Sequence, residues 1–321
     1  MLKKAIAVVT SGGDSPGMNA AARAVVRTAI YEGVEVYGVH NGYSGMVHDD
    51  IEKLTTRSVS DLIQRGGTFL GTARSKSFMT PEGRKTAFDN LCKRGIEGLV
   101  IIGGDGSLTG GSLLSKETGM PIVGLPGTID NDVWGMDYTI GCDTACNTIV
   151  DAINKLRDTA SAHRRIILVE VMGRHSGWLA MMSGIAGGAE YILVPEVAYD
   201  LEEISCELRE MYEAGKRYSI IVVAEGAGSA VEIGKIIGEK TEIDTRVSVL
   251  GHIQRGGSPT VEDRIKASML GEKAALAIIS GVNDVIFSFN EGQVVSVNLF
   301  EAVNNTKTLD PELVRLSRVL A

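Results

Sequence analysis

Gly98-Leu99-Val100-Ile101-Ile102-Gly103-Gly104-Asp105-Gly106-Ser107 decides the fold. The apolar run Gly98–Ile102 is too short for a helix and suits a strand covered on both faces. Glycines follow at once, and a helical segment follows the glycines. Strand, glycine turn and helix in that order form part of a strand–helix–strand unit. The same order recurs outward along the chain. Apolar runs stand at Ala5–Val9, Val34–Val39, Pro121–Leu125, Arg165–Val171, Tyr218–Ala224, Val247–Leu250 and Val285–Phe289. Between them lie helical patterns: Met18–Tyr31, alanine-rich with arginines on one face, then Thr144–Thr159, Leu201–Ala214 and Thr260–Gly281. A further helix opens at Thr80-Pro81, an N-cap and first helical position, and closes at Gly95 after Lys93-Arg94. Strand–helix alternation of this kind predicts an α/β fold with mainly parallel sheets.

At roughly 150 residues per domain, 321 residues suggest about two domains. No repeat or linker run divides the chain, so the two are expected to exchange strands. Hydrophobic residues at 44% and charged residues at 22% exclude a disordered chain. Glycine is in excess, 39 residues against 7 prolines, which points to tight turns and close backbone approaches rather than to linker. A net charge of −8 disfavours nucleic acid as a partner. The four cysteines make no zinc pattern, and the reading is reduced, buried thiols. The start MLKKAIAVVT reads as a first strand and not a signal peptide, because its apolar run is short and Ser11-Gly12-Gly13-Asp14 follows. No run approaches about 18 apolar residues, so no membrane span and a cytoplasmic protein are expected.

In α/β sheets, ligands bind beyond the carboxyl ends of strands. Thr10-Ser11-Gly12-Gly13-Asp14-Ser15-Pro16-Gly17 is a turn of that kind and could present backbone N–H groups to an anion. It equally suits a structural tight turn. Gly103-Gly104-Asp105-Gly106-Ser107 lets a phosphate lie on the backbone, with Asp105 either a Mg²⁺ ligand or a helix cap. Gly127-Thr128-Ile129-Asp130-Asn131-Asp132 brings two carboxylates together, which suits a base beside a metal-binding group or an exposed acidic turn. Arginines stand in comparable loops: Arg74, Arg174 and Arg255. In an acidic protein, arginines beside glycines read as phosphate ligands, since the guanidinium fork matches phosphate oxygens.

Taken in order, SGGDSPGMN, GGDGS, PGTIDND, MGR and GHIQRGGSP resemble the bacterial 6-phosphofructokinases over essentially the whole chain. The resemblance implies two Rossmann-like three-layer α/β/α domains with the chain crossing between them. Residues 1–140 and 253–303 would bind ATP, and residues 141–252 and 304–321 would bind fructose 6-phosphate. The implied reaction is the committed step of glycolysis, the Mg-ATP-dependent phosphorylation of fructose 6-phosphate at its 1-hydroxyl. By the same resemblance, Asp130 looks like the base, Asp105 the Mg²⁺ ligand, and Asp132 a near neighbour. Gly13, Arg74, Ser75 and Gly104, Asp105, Gly106 and Ser107 would cradle ATP. Thr128 and Arg174 would face the transferring phosphoryl group. Ile129, Met172, Gly173, Glu225, His252, Ile253, Gln254 and Arg255 match the sugar-phosphate site. Arg165 and Arg246 match arginines that reach the 6-phosphate from a neighbouring subunit, since the family is a homotetramer.

An effector set for ADP or phosphoenolpyruvate is similarly implied at Arg23, Arg27, Arg157, Glu190, Lys216 and Arg217. Three positions depart from some relatives: Thr56, with Arg57 one place later, Ala214 and Tyr218. Arg23 and Arg27, four apart on one helix, also suit a solvated basic face. Trp178 stands where several members carry aspartate, and packing is the expected role. Alternatives are a pyrophosphate-dependent enzyme, a lipid or NAD kinase, which lacks PGTIDND and the arginine set, and a non-catalytic regulator. Gly106 and Gly127 favour ATP, because pyrophosphate-dependent relatives carry aspartate and lysine there.

Overall fold

The computed structural model describes residues 4–321. The chain divides into two compact units. The first takes the chain up to Thr144 together with Arg255–Lys307, and the second takes Ala145–Gln254 with Thr308–Ala321.

In chain order the first unit holds β1 (Ala5–Ser11), α1 (Met18–Tyr31), β2 (Glu35–Val39), α2 (Gly42–His48), β3 (Ile51–Lys53), α3 (Pro81–Cys92), β4 (Leu99–Gly103), α4 (Asp105–Thr118) and β5 (Ile122–Pro126). Helix α5 (Cys142–His163) carries the chain into the second unit, which holds β6 (Ile166–Val171), α6 (Trp178–Gly187), β7 (Tyr191–Leu193), α7 (Leu201–Glu213), β8 (Ser219–Ala224), α8 (Ala230–Thr241) and β9 (Thr245–Val249). The first unit then resumes with α9 (Val261–Ser280), β10 (Val285–Asn290), β11 (Gln293–Asn298) and α10 (Leu299–Ala302), and α11 (Pro311–Leu320) ends the second.

The first sheet has the order β11-β10-β5-β4-β1-β2-β3, parallel except at its two edges, where β11 and β3 pair antiparallel. Its central strands are buried on both faces, as the continuous Val/Ile runs require. Alternate residues Ala7, Val9, Leu99, Ile101 and Ile122 pack under Tyr43, Met46, Leu91 and Leu108 from α2–α4. Helices α1 and α9 also lie on this sheet and against each other. The second sheet, β7-β8-β6-β9, is wholly parallel. Its residues Ile166, Leu168, Ile221 and Val223 pack under Ile204 and Leu208 of α7 and Ile233 and Ile237 of α8.

The cap expected at Thr80 is present, its hydroxyl accepting from Gly83 N–H at 3.1 Å with Pro81 first in the helix. One expectation needs correction. Only Cys142 is buried; Cys146 is half-buried, and Cys92 and Cys206 are exposed on the outer sides of α3 and α7. Burial pushes the Cys142 thiol up to about 12, so it is an inert core group. No disulfide links the four. Among the described residues, no helix is long and apolar enough to cross a membrane.

Candidate active site

In the first unit, β5, β4 and β1 are adjacent, parallel and in register, Ser11 opposite Gly103 and Gly103 opposite Pro126. Their carboxyl ends therefore release three loops side by side. The Gly127 N–H donates to the Gly103 carbonyl at 3.0 Å, tying the second loop to the third. A Cβ on Gly104 would stand 3.3 Å from Thr128 Cβ, and one on Gly12 would stand 2.8 Å from Ser107 Oγ. A side chain on Gly13 would collide with the Arg255 guanidinium. Gly13, Gly104–Ser107, Thr128 and Arg255 are thus neighbours, although 242 residues separate the first from the last.

Asp105 opens α4 behind the N-cap Gly104, and its side chain is exposed. No heavy atom lies within 4 Å of a Cβ built on Gly106, so this turn faces open space. Gly127 differs from what the sequence suggested. A Cβ there would lie 3.1 Å from Met18 Cε and 3.2 Å from both Gly103 N and Ile102 Cγ2. Packing against Met18 and Gly103 is thus tight at 127, a local reason for glycine there that is separate from any ligand.

Asp130 is 3% exposed, and its N–H donates to Thr128 Oγ1 at 3.2 Å. Asn131 adopts a left-handed conformation, φ +48°, which turns the chain between the two carboxylates. Its Nδ2 donates to the Asp137 carbonyl at 2.8 Å. The Thr139 hydroxyl donates to the Thr128 carbonyl at 2.7 Å, and Ile140 N–H to the Pro126 carbonyl at 2.8 Å. The loop is therefore closed on itself. Ile129 is buried beside Asp130, while Arg74 is exposed and Ser75 half-buried, its hydroxyl accepting from Phe78 N–H at 3.2 Å. The rings of Tyr43 and Phe78 stack at 3.9 Å, and the buried Tyr43 hydroxyl donates to the Ser107 carbonyl. Sequence reasoning overlooked this pair, which carries no local motif. Lys307 is another omission: its Nζ is buried, and burial draws its pKa down while the carboxylates of Asp137 and Asp132 oppose that.

In the second unit, Met172, Gly173 and Arg174 follow the carboxyl end of β6, and Glu225 follows β8. Arg174 N–H donates to Glu225 Oε1 at 2.8 Å, and Met172 N–H to the fully buried Gln254 Oε1 at 3.1 Å. Arg174 is left-handed, φ +53°, with an exposed side chain, and His252 and Ile253 are exposed. Arg165 and Arg246 sit at the opposite end, where β6 and β9 begin. Both pair with Asp244, Arg246 Nη2 at 3.0 Å from its Oδ1. Asp244 was missed, although an acid two residues before Arg246 was a visible signal.

Of the effector set, the second unit brings together Glu190 and Lys216, paired at 2.9 Å. Arg157 donates to the Gly187 and Gly188 carbonyls, and Arg217 lines a small cavity with Arg165, Lys216 and Tyr218. Arg23 and Arg27 belong to the first unit, one turn apart on α1, as do the exposed Thr56 and Arg57. Ala214 caps α7. Trp178 is the first residue of α6 and half-buried.

The family pattern described as phosphofructokinase matches residues 5–278. Two curated relatives, both called ATP-dependent 6-phosphofructokinase, come from Bacillus pumilus and Bacillus licheniformis. They are 56% and 57% identical over 318 residues, 99% of this chain and 99% of each relative. A solved phosphofructokinase structure from Saccharomyces cerevisiae superimposes with a TM-score of 0.89 at 39% identity; it covers 99% of this chain, which spans 48% of the yeast chain. A match across most of the chain, with identity above half over its full length, leaves one conclusion: the chain belongs to the phosphofructokinase family.

Proposed function

We propose that the chain transfers the γ-phosphoryl group of Mg-ATP to the 1-hydroxyl of fructose 6-phosphate, giving fructose 1,6-bisphosphate and ADP. The observation that carries this is the alignment of three loops, Gly12-Gly13, Gly104–Ser107 and Thr128–Asp132, on three in-register strand ends. The names of the Bacillus relatives support the donor and the acceptor. In this reading the glycine turns receive the nucleotide phosphates, with Arg74 and Ser75 beside them. Asp130 accepts the hydroxyl proton as the sugar oxygen bonds to the γ-phosphorus and the bond to the ADP oxygen breaks. Phosphoryl transfer asks little more of a protein than positioning and charge. Thr128 and Arg174 would stabilise the charge on the transferring group. Met172, Gly173, Glu225, His252, Ile253, Gln254 and Arg255 would hold the sugar phosphate.

Among the described residues, no cluster of three acidic, histidine or cysteine side chains could hold a metal. A single exposed carboxylate, Asp105, beside the open Gly106 turn fits Mg²⁺, which keeps water and phosphate oxygens as its other ligands. Bound there, it would neutralise charge on the phosphates.

In this reading the enzyme is a homotetramer, and Arg165 and Arg246 belong to sites shared between subunits. β6 has six residues, about 20 Å at roughly 3.3 Å each, and these arginines sit at the end away from Met172–Arg174. That separation supports the reading, taken from the family resemblance, in which these arginines serve the sugar-phosphate site of a neighbouring copy. Mixing Arg246→Ala subunits with Asp130→Ser subunits, each strongly impaired alone, is then expected to raise activity above that of either parent. Mixed tetramers verified by mass spectrometry that show no such gain would exclude a shared site.

The main reading is tested by a coupled assay with ATP or pyrophosphate as donor. Turnover dependent on fructose 6-phosphate is expected with ATP alone; a preference for pyrophosphate overturns it. The same assay reads regulation through Arg23, Arg27, Arg157, Glu190, Lys216 and Arg217. ADP or phosphoenolpyruvate is expected to shift the fructose 6-phosphate curve by a coupling of about 1–3 kcal/mol. A curve that neither moves, with competition at the ATP site excluded, would make that set a basic surface only.

A further inference from the structure

We propose that Asp263, a fully buried carboxylate on α9, is a positioning residue that locks the segment 127–141 and so holds Asp130 and Asp132 in place. The proposal rests on the reading of that loop as the reacting one. Asp263 is 0% exposed and accepts four hydrogen bonds. Oδ1 takes the Tyr138 hydroxyl and the Gly141 N–H, the latter at 2.9 Å. Oδ2 takes the Thr144 N–H at 2.8 Å and the Thr144 hydroxyl. All four donors lie in the stretch that leads from the acidic loop into α5.

The sequence explains why a distant carboxylate is needed. Gly141 precedes α5 with φ +102°, and a Cβ there would stand 2.6 Å from Ser15 Cβ. Glycine is required, and glycine offers no side chain to cap the helix. The Cys142 N–H turns back to the Thr139 carbonyl at 3.2 Å, and for the Thr144 N–H α9 supplies the acceptor. Asp263 also stands in the first turn of its own helix, its N–H bonded to the Thr260 hydroxyl at 3.2 Å. One carboxylate therefore meets the positive ends of two helices. Burial pushes its pKa up, and the donors from Thr144, Tyr138 and Gly141 act the other way.

Other bonds make the segment rigid once this anchor holds. Ser15 Oγ donates to the Ile140 carbonyl at 2.7 Å, Asp137 N–H to the Phe289 carbonyl at 2.9 Å, and the Ser288 hydroxyl to the Tyr138 carbonyl. The acidic loop is thereby tied to β10 and to the turn after β1. Such fixing matters because a proton acceptor displaced by about 1 Å can cost about 10²-fold in rate.

Tyr138→Phe in the full chain removes one donor and keeps the ring. Its kcat is expected to fall between about 10- and 100-fold, with KM for both substrates within about twofold, in protein shown to be folded at the assay temperature. The loss should vanish in an Asp130→Ser background, whereas a general loss of folded enzyme would act equally in both. Asp263→Asn should give a larger fall; if it does not fold, Tyr138→Phe carries the test. Hydrogen exchange gives a readout independent of the reaction. Amides in 127–141 should exchange faster in Tyr138→Phe while β4 and β5 do not change. If the wild-type chain shows no phosphofructokinase turnover, the proposed function fails, and the exchange result alone decides the lock. Unchanged exchange, a wild-type kcat in Tyr138→Phe, or an undiminished kcat loss in the Asp130→Ser background overturns the proposal.

Discussion

Asp130→Ser is expected to lower kcat by about 10²- to 10⁴-fold while the fructose 6-phosphate KM stays within a few fold. A sugar hydroxyl has a pKa far above neutrality, so its proton must pass to an acceptor as the oxygen attacks phosphorus. Serine cannot accept it. Asp130 is only 3% exposed, in a loop closed by bonds from Thr139, Ile140 and Asn131 to carbonyl oxygens. Bulk water is a poor substitute at such a position. The serine variant keeps the backbone N–H that Asp130 gives to Thr128 Oγ1, and the bonds from Thr139, Ile140 and Asn131 are untouched. The loop should therefore keep its shape and the sugar its binding contacts, which separates kcat from KM. Steady-state kinetics with direct binding of fructose 6-phosphate to the variant makes the check. Near wild-type turnover would remove Asp130 from the chemistry.

What the sequence disclosed and what it hid follow from the range of the forces involved. Each apolar run became a strand, and β1, β4, β5 and β8 are buried throughout, which requires apolar residues on both faces. The edges were harder. β3 and β7 have three residues each, too few to show a period. β11 joins β10 through Glu291-Gly292, both left-handed, a two-residue hairpin turn whose glycine was a usable signal. Helix α6 is apolar nearly all round, so it shows no stripe, and it was overlooked. β9 begins at Thr245, two residues before the apolar run expected, which brings Arg246 into the strand beside Ile167. The loops of the candidate site were legible because glycine and acid follow strands in a fixed local order. Their supports were not: Asp263, Asp244 and the stacked Tyr43 and Phe78 act through partners brought close only by folding.

Gly106→Asp is expected to raise the KM for ATP by about 10²- to 10³-fold and to reduce turnover. Gly106 follows Asp105 in the turn read as the nucleotide cradle, and nothing stands within 4 Å of the position a Cβ would take. The aspartate therefore fits the folded chain, and its effect falls on the ligand. Juxtaposed like charges cost several kcal/mol, and each 1.4 kcal/mol is about tenfold in affinity. A second carboxylate beside Asp105 would repel the α-phosphate while leaving room for the smaller pyrophosphate. Gly127→Lys behaves differently. A Cβ there meets Met18 Cε at 3.1 Å and the Gly103 amide nitrogen at 3.2 Å, so these neighbours must give by a few tenths of an ångström. Overpacking of this kind costs about 1–3 kcal/mol. The lysine variant should thus lose thermal stability before any change of donor can be read, whereas the aspartate variant should melt like wild type. Discrimination by an absent repulsion then rests chiefly on residue 106. Melting curves and donor titrations of both variants decide the matter. A Gly106→Asp enzyme that kept the wild-type KM for ATP would place the nucleotide elsewhere than on this turn.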